Sequence, residues 1–147
     1  MKVLIIGGVA AGTKTAAKLK REDRSIDVTI ITKDQDISDA GCGLTYYVGG
    51  LIEGRDELIV NTPQKYSGLT GVEVRTGKEA VAVDPATKEV TLKDVQTGET
   101  EACPYDKLVI ATGASAAELH IEVKDLPGAF KLGTPDDADG TRTDAET

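Results

Sequence analysis

The sequence has two places where residue type and spacing could do chemistry: a cysteine between glycines, and a glycine-rich turn. Cys42 stands between Gly41 and Gly43, which leave its sulfur approachable. If a helix begins within Gly43–Val48, its N-terminal amides would favour the thiolate and lower the pKa of the thiol, as in many reactive cysteines. An isolated thiol is more often buried and inert, so both interpretations stay open for Cys42.

The glycine-rich turn lies near the start of the chain. The apolar run Val3–Ile6 is typical of a buried parallel strand, and it is followed by glycines and small residues over Gly7–Gly12 and then by a strong helix former. Such a turn aims the amides of a helix N-terminus at an anion, which predicts a diphosphate cradle at the start of a βαβ unit. Val9 stands where the full dinucleotide fingerprint has its second glycine, so an ordinary tight turn remains the alternative.

The elements around these two features indicate an α/β fold. The pattern predicts a helix over Ala11–Glu22 and a second strand at Asp27–Thr32, at the spacing that a crossover helix requires. Tyr105–Gly113 returns to the buried-strand pattern, and its Ala-Thr-Gly end should lie beside the glycine turn at the carboxyl edge of the sheet. The predicted fold class is a Rossmann-like, doubly wound parallel sheet.

An antiparallel β-meander is expected as an insertion in this sheet. Asn61–Leu69 is predicted to be a short helix with Thr62 as its cap and Pro63 at its first position. After this helix the apolar and polar residues alternate, which is typical of half-buried strands. The expected meander strands are Val72–Arg75, Glu79–Asp84, Glu89–Lys93 and Thr100–Cys103, and two further short strands are expected at Glu118–Val123 and Ala129–Leu132.

Composition and charge limit the partners and the compartment. The 147 residues carry a formal net charge of −8, which argues against nucleic acid as a partner. No apolar run reaches the length of a membrane span and the N-terminus has a strand pattern, so we expect a cytoplasmic protein without a membrane partner. We expect one domain over residues 1–133, followed by an acidic, disordered tail over 134–147.

The basic residues of the first helix have two interpretations, and the second cysteine has one. Lys14, Lys18 and Arg21 share one face of the first helix, which is either a solvated surface or a docking site for a phosphorylated substrate. Cys103 precedes a buried strand and is expected to have only a packing role. The two cysteines are far apart in sequence, so we expect neither a disulfide framework nor a metal site.

Taken together, these motifs resemble a known family. They are similar to the FAD-dependent pyridine nucleotide–disulfide oxidoreductases, and specifically to the branch of coenzyme A disulfide reductase and NADH oxidase. The resemblance covers most of Met1–Ser115. The motifs that carry it are Ile6–Gly12, Ser38-x-x-x-Cys42-Gly43-Leu44 followed by Tyr46 and Tyr47, the meander, and YDKLVIATG at 105–113.

The resemblance implies FAD as the cofactor and, in the intact family enzyme, NAD(P)H as the electron donor. It implies that Cys42 is the catalytic, redox-active cysteine at the flavin. Oxidase and peroxidase members have a histidine where this chain has Ala10, which favours the coenzyme A disulfide reductase side. The positions that would line the coenzyme A site are Lys14, Lys18, Arg21 and Ser38. The cofactor-binding positions would be Gly7, Gly8, Val9, Ala10, Ala11, Gly12, Thr32, Lys33, Asp34, Val81, Ala111, Thr112 and Gly113.

Some residues depart from the family pattern. Asp39 stands where relatives usually have an aromatic residue, and Thr45 where they have proline. A negative charge at Asp39 would oppose a thiolate at Cys42 and the phosphates of coenzyme A. The NAD(P)H domain and the domain through which family members homodimerise are absent from these 147 residues, so we expect weak flavin binding and no activity from this portion alone.

The expected function is that of an FAD-binding module in a flavin-dependent disulfide oxidoreductase. In the intact enzyme, electrons would pass from NAD(P)H through FAD to a mixed disulfide at Cys42, with coenzyme A disulfide or a related small disulfide as the substrate. The alternative is a truncated or engineered, non-catalytic nucleotide-binding scaffold domain. A small NAD(P)-dependent dehydrogenase is a poorer hypothesis, because the sequence has no Tyr-x-x-x-Lys motif.

Overall fold

The computed structural model describes residues 1–117 and 127–145. The chain divides into two compact units, each with its own hydrophobic core. The first unit consists of Met1–Ser38 and Asn61–Gly113, and the second consists of Asp39–Val60 and the described residues after Gly113.

The helices and strands have the following bounds. The strands are β1 (Lys2–Ile6), β2 (Asp27–Ile31), β3 (Glu73–Arg75), β4 (Lys78–Asp84), β5 (Glu89–Asp94), β6 (Thr100–Pro104) and β7 (Lys107–Ile110). The α-helices are α1 (Ala10–Glu22), α2 (Leu44–Val48), α3 (Pro63–Thr70) and α4 (Pro135–Ala145), and two short 3-10 helices span Gly41–Gly43 and Arg55–Leu58. No helix in the described part of the chain is long and apolar enough to cross a membrane.

The first unit is built on a four-stranded parallel sheet with the strand order β3-β2-β1-β7. Ile6 at the end of the central strand β1 pairs with Ile31 of β2 on one side and with Ile110 of β7 on the other. The chain runs outward from β1 through β2 to β3, whereas β7 lies on the opposite side of β1. The strand order therefore reverses between β1 and β7, and in open α/β sheets ligands bind at the carboxyl edge beside such a switch point. The predicted Rossmann-like fold is confirmed.

Alternating residues of β1 build the two faces of this sheet. Val3 and Ile5 are buried together with Tyr66 of α3 and part of α1. Leu4 lies on the other face and packs with Leu92 of the antiparallel sheet, whose strand order is β4-β5-β6. Because successive side chains of a strand point to opposite faces, one strand joins both cores. The first unit thus has three layers, with helices on one face of the parallel sheet and the antiparallel sheet on the other.

The helix predicted after Asn61 is confirmed, with its predicted cap. The hydroxyl of Thr62 accepts a hydrogen bond from the backbone N–H of Lys65 at 3.2 Å, and Pro63 is the first helical residue. The helix ends at Thr70, and Gly71 after it has a φ of +72°, the left-handed conformation that glycine adopts at helix ends. The cap is a local signal and places the start of α3 from the sequence, whereas the end was expected at Leu69 and lies at Thr70.

The assignment of Val72–Arg75 to the meander is wrong. Strand β3 pairs in parallel with β2, with Thr29 opposite Glu73, and so extends the parallel sheet. A strand of three residues has too few alternations to reveal which sheet it joins. The strand expected at Ala129–Leu132 is also not observed, since these exposed residues form no ladder. The strand expected at Glu118–Val123 lies outside the described residues.

Helix α4 takes the place of most of the expected disordered tail. The Thr134 hydroxyl accepts from the N–H of Asp137 at 3.2 Å, while the Asp137 carboxylate accepts from the N–H groups of Gly133 and Thr134, each at 2.9 Å. These bonds form a capping box around Pro135, the first helical residue, and Ala138 is buried in the core of the second unit. The prediction failed because this segment is nearly free of apolar residues, although its Thr-Pro-Asp-Asp start is a capping signal.

Candidate functional site

The glycine turn lies at the carboxyl end of β1, where β7 also ends. Gly7 has a φ of +117°, and its N–H donates to the carbonyl of Ile31 at 2.8 Å. A Cβ atom at Gly7 would lie 2.1 Å from the carbonyl oxygen of Ala111, just after β7. Only glycine therefore lets the two strand ends approach this closely, as predicted for a turn facing Thr112 and Gly113.

The other glycines of the turn are also required by close packing. A Cβ atom at Gly12 would lie 1.9 Å from the carbonyl oxygen of Gly7, so glycine is needed for α1 to begin directly over the turn. A Cβ atom at Gly8 would lie 2.9 Å from the Cγ2 atom of Ile37. Gly7 and Gly12 therefore have the structural roles of the first and last glycines of the dinucleotide fingerprint.

The N-terminus of α1 fits an anion. Val9 is the N-cap residue and makes no side-chain capping bond, and the first turn of α1 has no acidic residue. Val9, Ala10 and Ala11 are exposed, so small side chains surround the first amides of the helix. The unpaired N–H groups at a helix start carry partial positive charge, and a diphosphate in this position would pair with them.

The predicted contacts after β2 lie at the same edge of the sheet. Thr32 is buried, and its N–H donates to the carbonyl of Arg75 at 3.1 Å. The N–H of Asp34 donates to the Thr32 hydroxyl at 3.3 Å, while Lys33 and Asp34 are exposed. Val81 is exposed on β4, beside an irregularity in its pairing with β5. The start of β4 is joined to this edge of the parallel sheet, because the N–H of Lys78 donates to the carbonyl of Thr32 at 2.9 Å.

The predicted substrate-binding residues are accessible. Lys14, Lys18 and Arg21 are exposed on α1, and Lys18 forms an ion pair with Glu22 one turn later. Ser38 has a left-handed φ of +54°, and its N–H donates to the carbonyl of Gly8 at 2.9 Å. The backbone of Ser38 is thereby tied to the glycine turn at the point where the chain leaves the first unit.

Cys42 belongs to the second unit and its thiol is exposed. It lies in the 3-10 helix Gly41–Gly43, which leads directly into the five residues of α2. The N–H of Gly43 donates to the carbonyl of Ala40 at 2.7 Å, and a Cβ atom at Gly43 would lie 2.9 Å from a methyl carbon of Leu58. Gly43 thus lets the cysteine turn pack against the core of this unit, while Cys42 itself is exposed.

Cys103 has different surroundings. It is half-buried on β6 in the first unit, and burial raises the pKa of its thiol. It lines a small cavity of about 150 Å³ together with Arg75 of β3 and residues at the start of β1. The glycine turn lies at the opposite end of β1, so this cavity is separate from the candidate nucleotide site.

Comparisons with known proteins agree with these features. A family model described as pyridine nucleotide-disulphide oxidoreductase matches residues 1–146. The chain belongs to this family. A coenzyme A disulfide reductase of Staphylococcus haemolyticus strain JCSC1435 is 34% identical over 118 residues, covering 80% of this chain and 27% of the relative.

Two other members of the pyridine nucleotide-disulphide oxidoreductase family are also similar to this chain. An NADH oxidase of Methanocaldococcus jannaschii is 34% identical over 137 residues, covering 93% of this chain and 30% of the relative. The crystal structure of reduced Bacillus anthracis CoADR-RHD superposes with a TM-score of 0.95 at 32% identity, covering 99% of this chain and 26% of that one. The chain therefore spans between a quarter and a third of the length of these relatives.

In this member of the family, the structure also reveals a polar cluster that sequence reasoning missed. The Tyr47 hydroxyl donates to one carboxylate oxygen of Asp139 at 2.7 Å, and Arg55 Nε donates to the other at 2.7 Å. The hydrogen bond to Asp139 raises the pKa of Tyr47. Arg142 lies over the Tyr47 ring at 4.8 Å from its centroid. The capping-box sequence could have predicted α4 itself. No local pattern could have predicted the hydrogen bonds of Asp139 with Tyr47 and Arg55, which lie far away in sequence.

Proposed function

We propose that this chain is the FAD-binding module of a flavin-dependent disulfide oxidoreductase similar to coenzyme A disulfide reductase. The observation that carries the proposal is the glycine turn at the strand-order reversal between β1 and β7, which leads into the uncapped start of α1. Membership of the pyridine nucleotide-disulphide oxidoreductase family supports it. Bound FAD would supply a two-electron carrier between NAD(P)H and a disulfide.

In this proposal the residues of the first unit hold the nucleotide. The N–H groups at Ala10–Gly12 bind the diphosphate, and the segment Thr32–Asp34 lies at the same sheet edge for the adenosine half. Thr112 and Gly113 bound the site from the β7 side. Val81 lies on β4, whose first residue Lys78 donates its N–H to the carbonyl of Thr32, so its proposed contact is with the adenosine half.

The proposed chemistry at Cys42 is thiol–disulfide exchange. Its thiolate attacks one sulfur of coenzyme A disulfide, so that a Cys42–coenzyme A mixed disulfide forms and one coenzyme A thiolate leaves. The exposure of Cys42 supports this step. The cationic face of α1, formed by Lys14, Lys18 and Arg21 and followed in sequence by Ser38, would pair with the phosphates of the substrate.

The nucleotide site can be tested by adding one charge at the start of α1. Ala11→Asp places a carboxylate at the second position of the helix, where it favours the free helix by about 0.3–1 kcal/mol but repels a diphosphate. Titration with FAD, followed by flavin fluorescence, should show weak binding to the wild type and none to Ala11→Asp. ADP should compete with FAD and riboflavin should not, because only ADP carries the diphosphate.

The matched control is Gln64→Asp, which adds the same charge at the second position of α3, also exposed. It should bind FAD like the wild type. Urea unfolding should show that neither substitution destabilises the free chain. Equal FAD binding by Ala11→Asp and wild type, or equal competition by riboflavin and ADP, would reject the proposed site.

The thiol step has a separate test that needs no flavin. The reduced chain is mixed with coenzyme A disulfide, and we expect release of one coenzyme A per chain together with a mass increase on Cys42. Cys42→Ser should release none, while Cys103→Ser should behave like the wild type. FAD binding without coenzyme A release from the wild type would favour the alternative function, a non-catalytic nucleotide-binding domain.

A further inference from the structure

Helix α2, which follows Cys42 directly, is too short to be stable by itself. It has five residues, and isolated helices of this length do not form in water. The conformational entropy lost in nucleation exceeds the free energy gained from a single turn of hydrogen bonds. The hydrogen bond between the Gly43 N–H and the Ala40 carbonyl is continuous with this helix. The conformation of the cysteine turn therefore depends on tertiary contacts made by α2.

The contacts of α2 within the second unit come largely from α4. Leu44 and Tyr47 are buried with Leu58 and with Ala138 of α4. The Tyr47 hydroxyl donates to Asp139 at 2.7 Å, and Tyr47 as a whole is only 8% exposed. A buried ring with one directed hydrogen bond has a single preferred orientation, so this bond holds Tyr47, and with it α2, against α4.

Asp139 also joins a second segment to the same point. Its other carboxylate oxygen accepts from Arg55 Nε at 2.7 Å, and Arg55 begins the 3-10 helix that contains the buried Leu58. Arg142, one turn further along α4, donates to the carbonyl of Glu53 at 3.1 Å and stacks on Tyr47. Neither α4 nor α2 has strong intrinsic helix preference, so each is ordered by the other.

We propose that Asp139 is a positioning residue for Cys42, acting through the Tyr47 hydroxyl and α2. Without the Asp139 carboxylate, Tyr47 loses its acceptor, α2 opens more often, and the turn Gly41–Gly43 opens with it. The inference rests on the proposed function only in taking Cys42 as the reacting thiol. It does not depend on flavin or coenzyme A.

The test is a double-mutant cycle read by backbone hydrogen exchange and by thiol alkylation. Tyr47→Phe in the wild-type background should speed exchange of the Gly43 amide about fivefold, the population change expected for one hydrogen bond of about 1 kcal/mol. In the Asp139→Ala background, Tyr47→Phe should have no further effect. In the Asp139→Asn background its effect should return, because an amide oxygen still accepts from the hydroxyl.

Alkylation by iodoacetamide, followed at each cysteine by mass spectrometry, connects this opening to Cys42. The rate at Cys42 should rise in the same variants, in the same order as the exchange rates. Cys103 serves as an internal control, because it lies in the other unit and should react as in the wild type. Asp136→Asn is the matched helix control, because it removes a neighbouring carboxylate that also pairs with Arg55 but is 82% exposed. It should change neither the Gly43 exchange rate nor the Cys42 alkylation rate by much.

Three results would overturn the inference. Tyr47→Phe could speed exchange equally in the wild-type and Asp139→Ala backgrounds, which would show that the hydroxyl acts without Asp139. Exchange could rise without any change at Cys42, which would show that α2 does not position the thiol. Both thiols could react faster together, which would indicate global unfolding. A chain that binds no FAD would reject the proposed function and leave these measurements valid.

Discussion

In the glycine turn, neighbouring atoms leave no room for a side chain, and Gly12 is the tightest of these positions. We predict that Gly12→Ala destabilises the chain by about 3 kcal/mol or more, at the upper end of overpacking costs, because its Cβ would lie 1.9 Å from a backbone oxygen. Gly68→Ala is the control, since nothing lies within 4 Å of a Cβ there and the site is inside α3. It should stabilise by about 0.5–1 kcal/mol. Urea unfolding measures both, and a Gly12→Ala chain as stable as the wild type would contradict this geometry.

The two cysteines should differ in reactivity for a reason that is visible in their surroundings. Cys42 is exposed, whereas Cys103 is half-buried and its thiol has a pKa raised by burial. At pH 7 we therefore expect iodoacetamide to modify Cys42 before Cys103 in the folded wild-type chain. Peptide mass spectrometry over time measures the two rates, and urea-unfolded chain, in which they should converge, is the control. Faster modification of Cys103 would mean that the cysteine turn is more protected than the structure shows.

At the scale of the elements, an ion-pair network joins the two sheets of the first unit. Lys78 Nζ lies 3.0 Å from Asp94 and 3.2 Å from Glu101, and Glu101 also pairs with Arg75 of β3 at 2.5 Å. Hydrogen bonds from the Thr97 N–H and from Lys78 lower the pKa of Asp94 from 3.8 to about 2. The network links β3 of the parallel sheet to all three antiparallel strands.

The lowered pKa of Asp94 gives a pH dependence with a definite sign. A carboxyl group with a lower pKa in the folded state stabilises the fold above its unfolded pKa, and this contribution is lost as the pH falls through about 2. Asp94→Asn should therefore lower the melting temperature at pH 7, and the difference from wild type should disappear near pH 2. Asp84→Asn is the control, because Asp84 caps the β4–β5 turn through Ala86 and Thr87 as Asp94 caps the next turn. Asp84→Asn should lower the melting temperature at pH 7 by less than Asp94→Asn does. A constant difference at all pH values would contradict the ion-pair contribution.

The elements also show what the sequence could and could not predict. The turn Gly7–Gly12 and helix α3 were predictable because glycines, caps and apolar runs act within a few residues. Strand β3 was assigned to the wrong sheet, because three residues carry no information about their partner. Helix α4 was missed because its stability comes from Tyr47 and Arg55, more than 80 positions away in sequence. Local signals identify the glycine turn, whereas the hydrogen bonds that Tyr47 and Arg55 make with α4 are long-range.

At the scale of the whole molecule, the two units differ in the size of their cores. The core of the first unit contains two clusters around the parallel sheet, including the fully buried Ile5 and Ile30. In the second unit the described hydrophobic cluster has four buried residues, Leu44, Tyr47, Leu58 and Ala138. Small cores bury too little apolar surface to offset much conformational entropy. The unit that carries Cys42 should therefore be the less stable one.

We predict that the second unit unfolds at a lower urea concentration than the first. The chain has no tryptophan, so a single tryptophan can report on each unit separately. Tyr46→Trp, at an exposed position of α2, reports on the second unit, and Tyr105→Trp, partly buried before β7, reports on the first. The fluorescence transition of Tyr46→Trp should come first, while circular dichroism, dominated by the larger unit, should follow Tyr105→Trp. Coincident transitions in both variants would show a single cooperative unit, in which the segment that carries Cys42 is as stable as the parallel sheet.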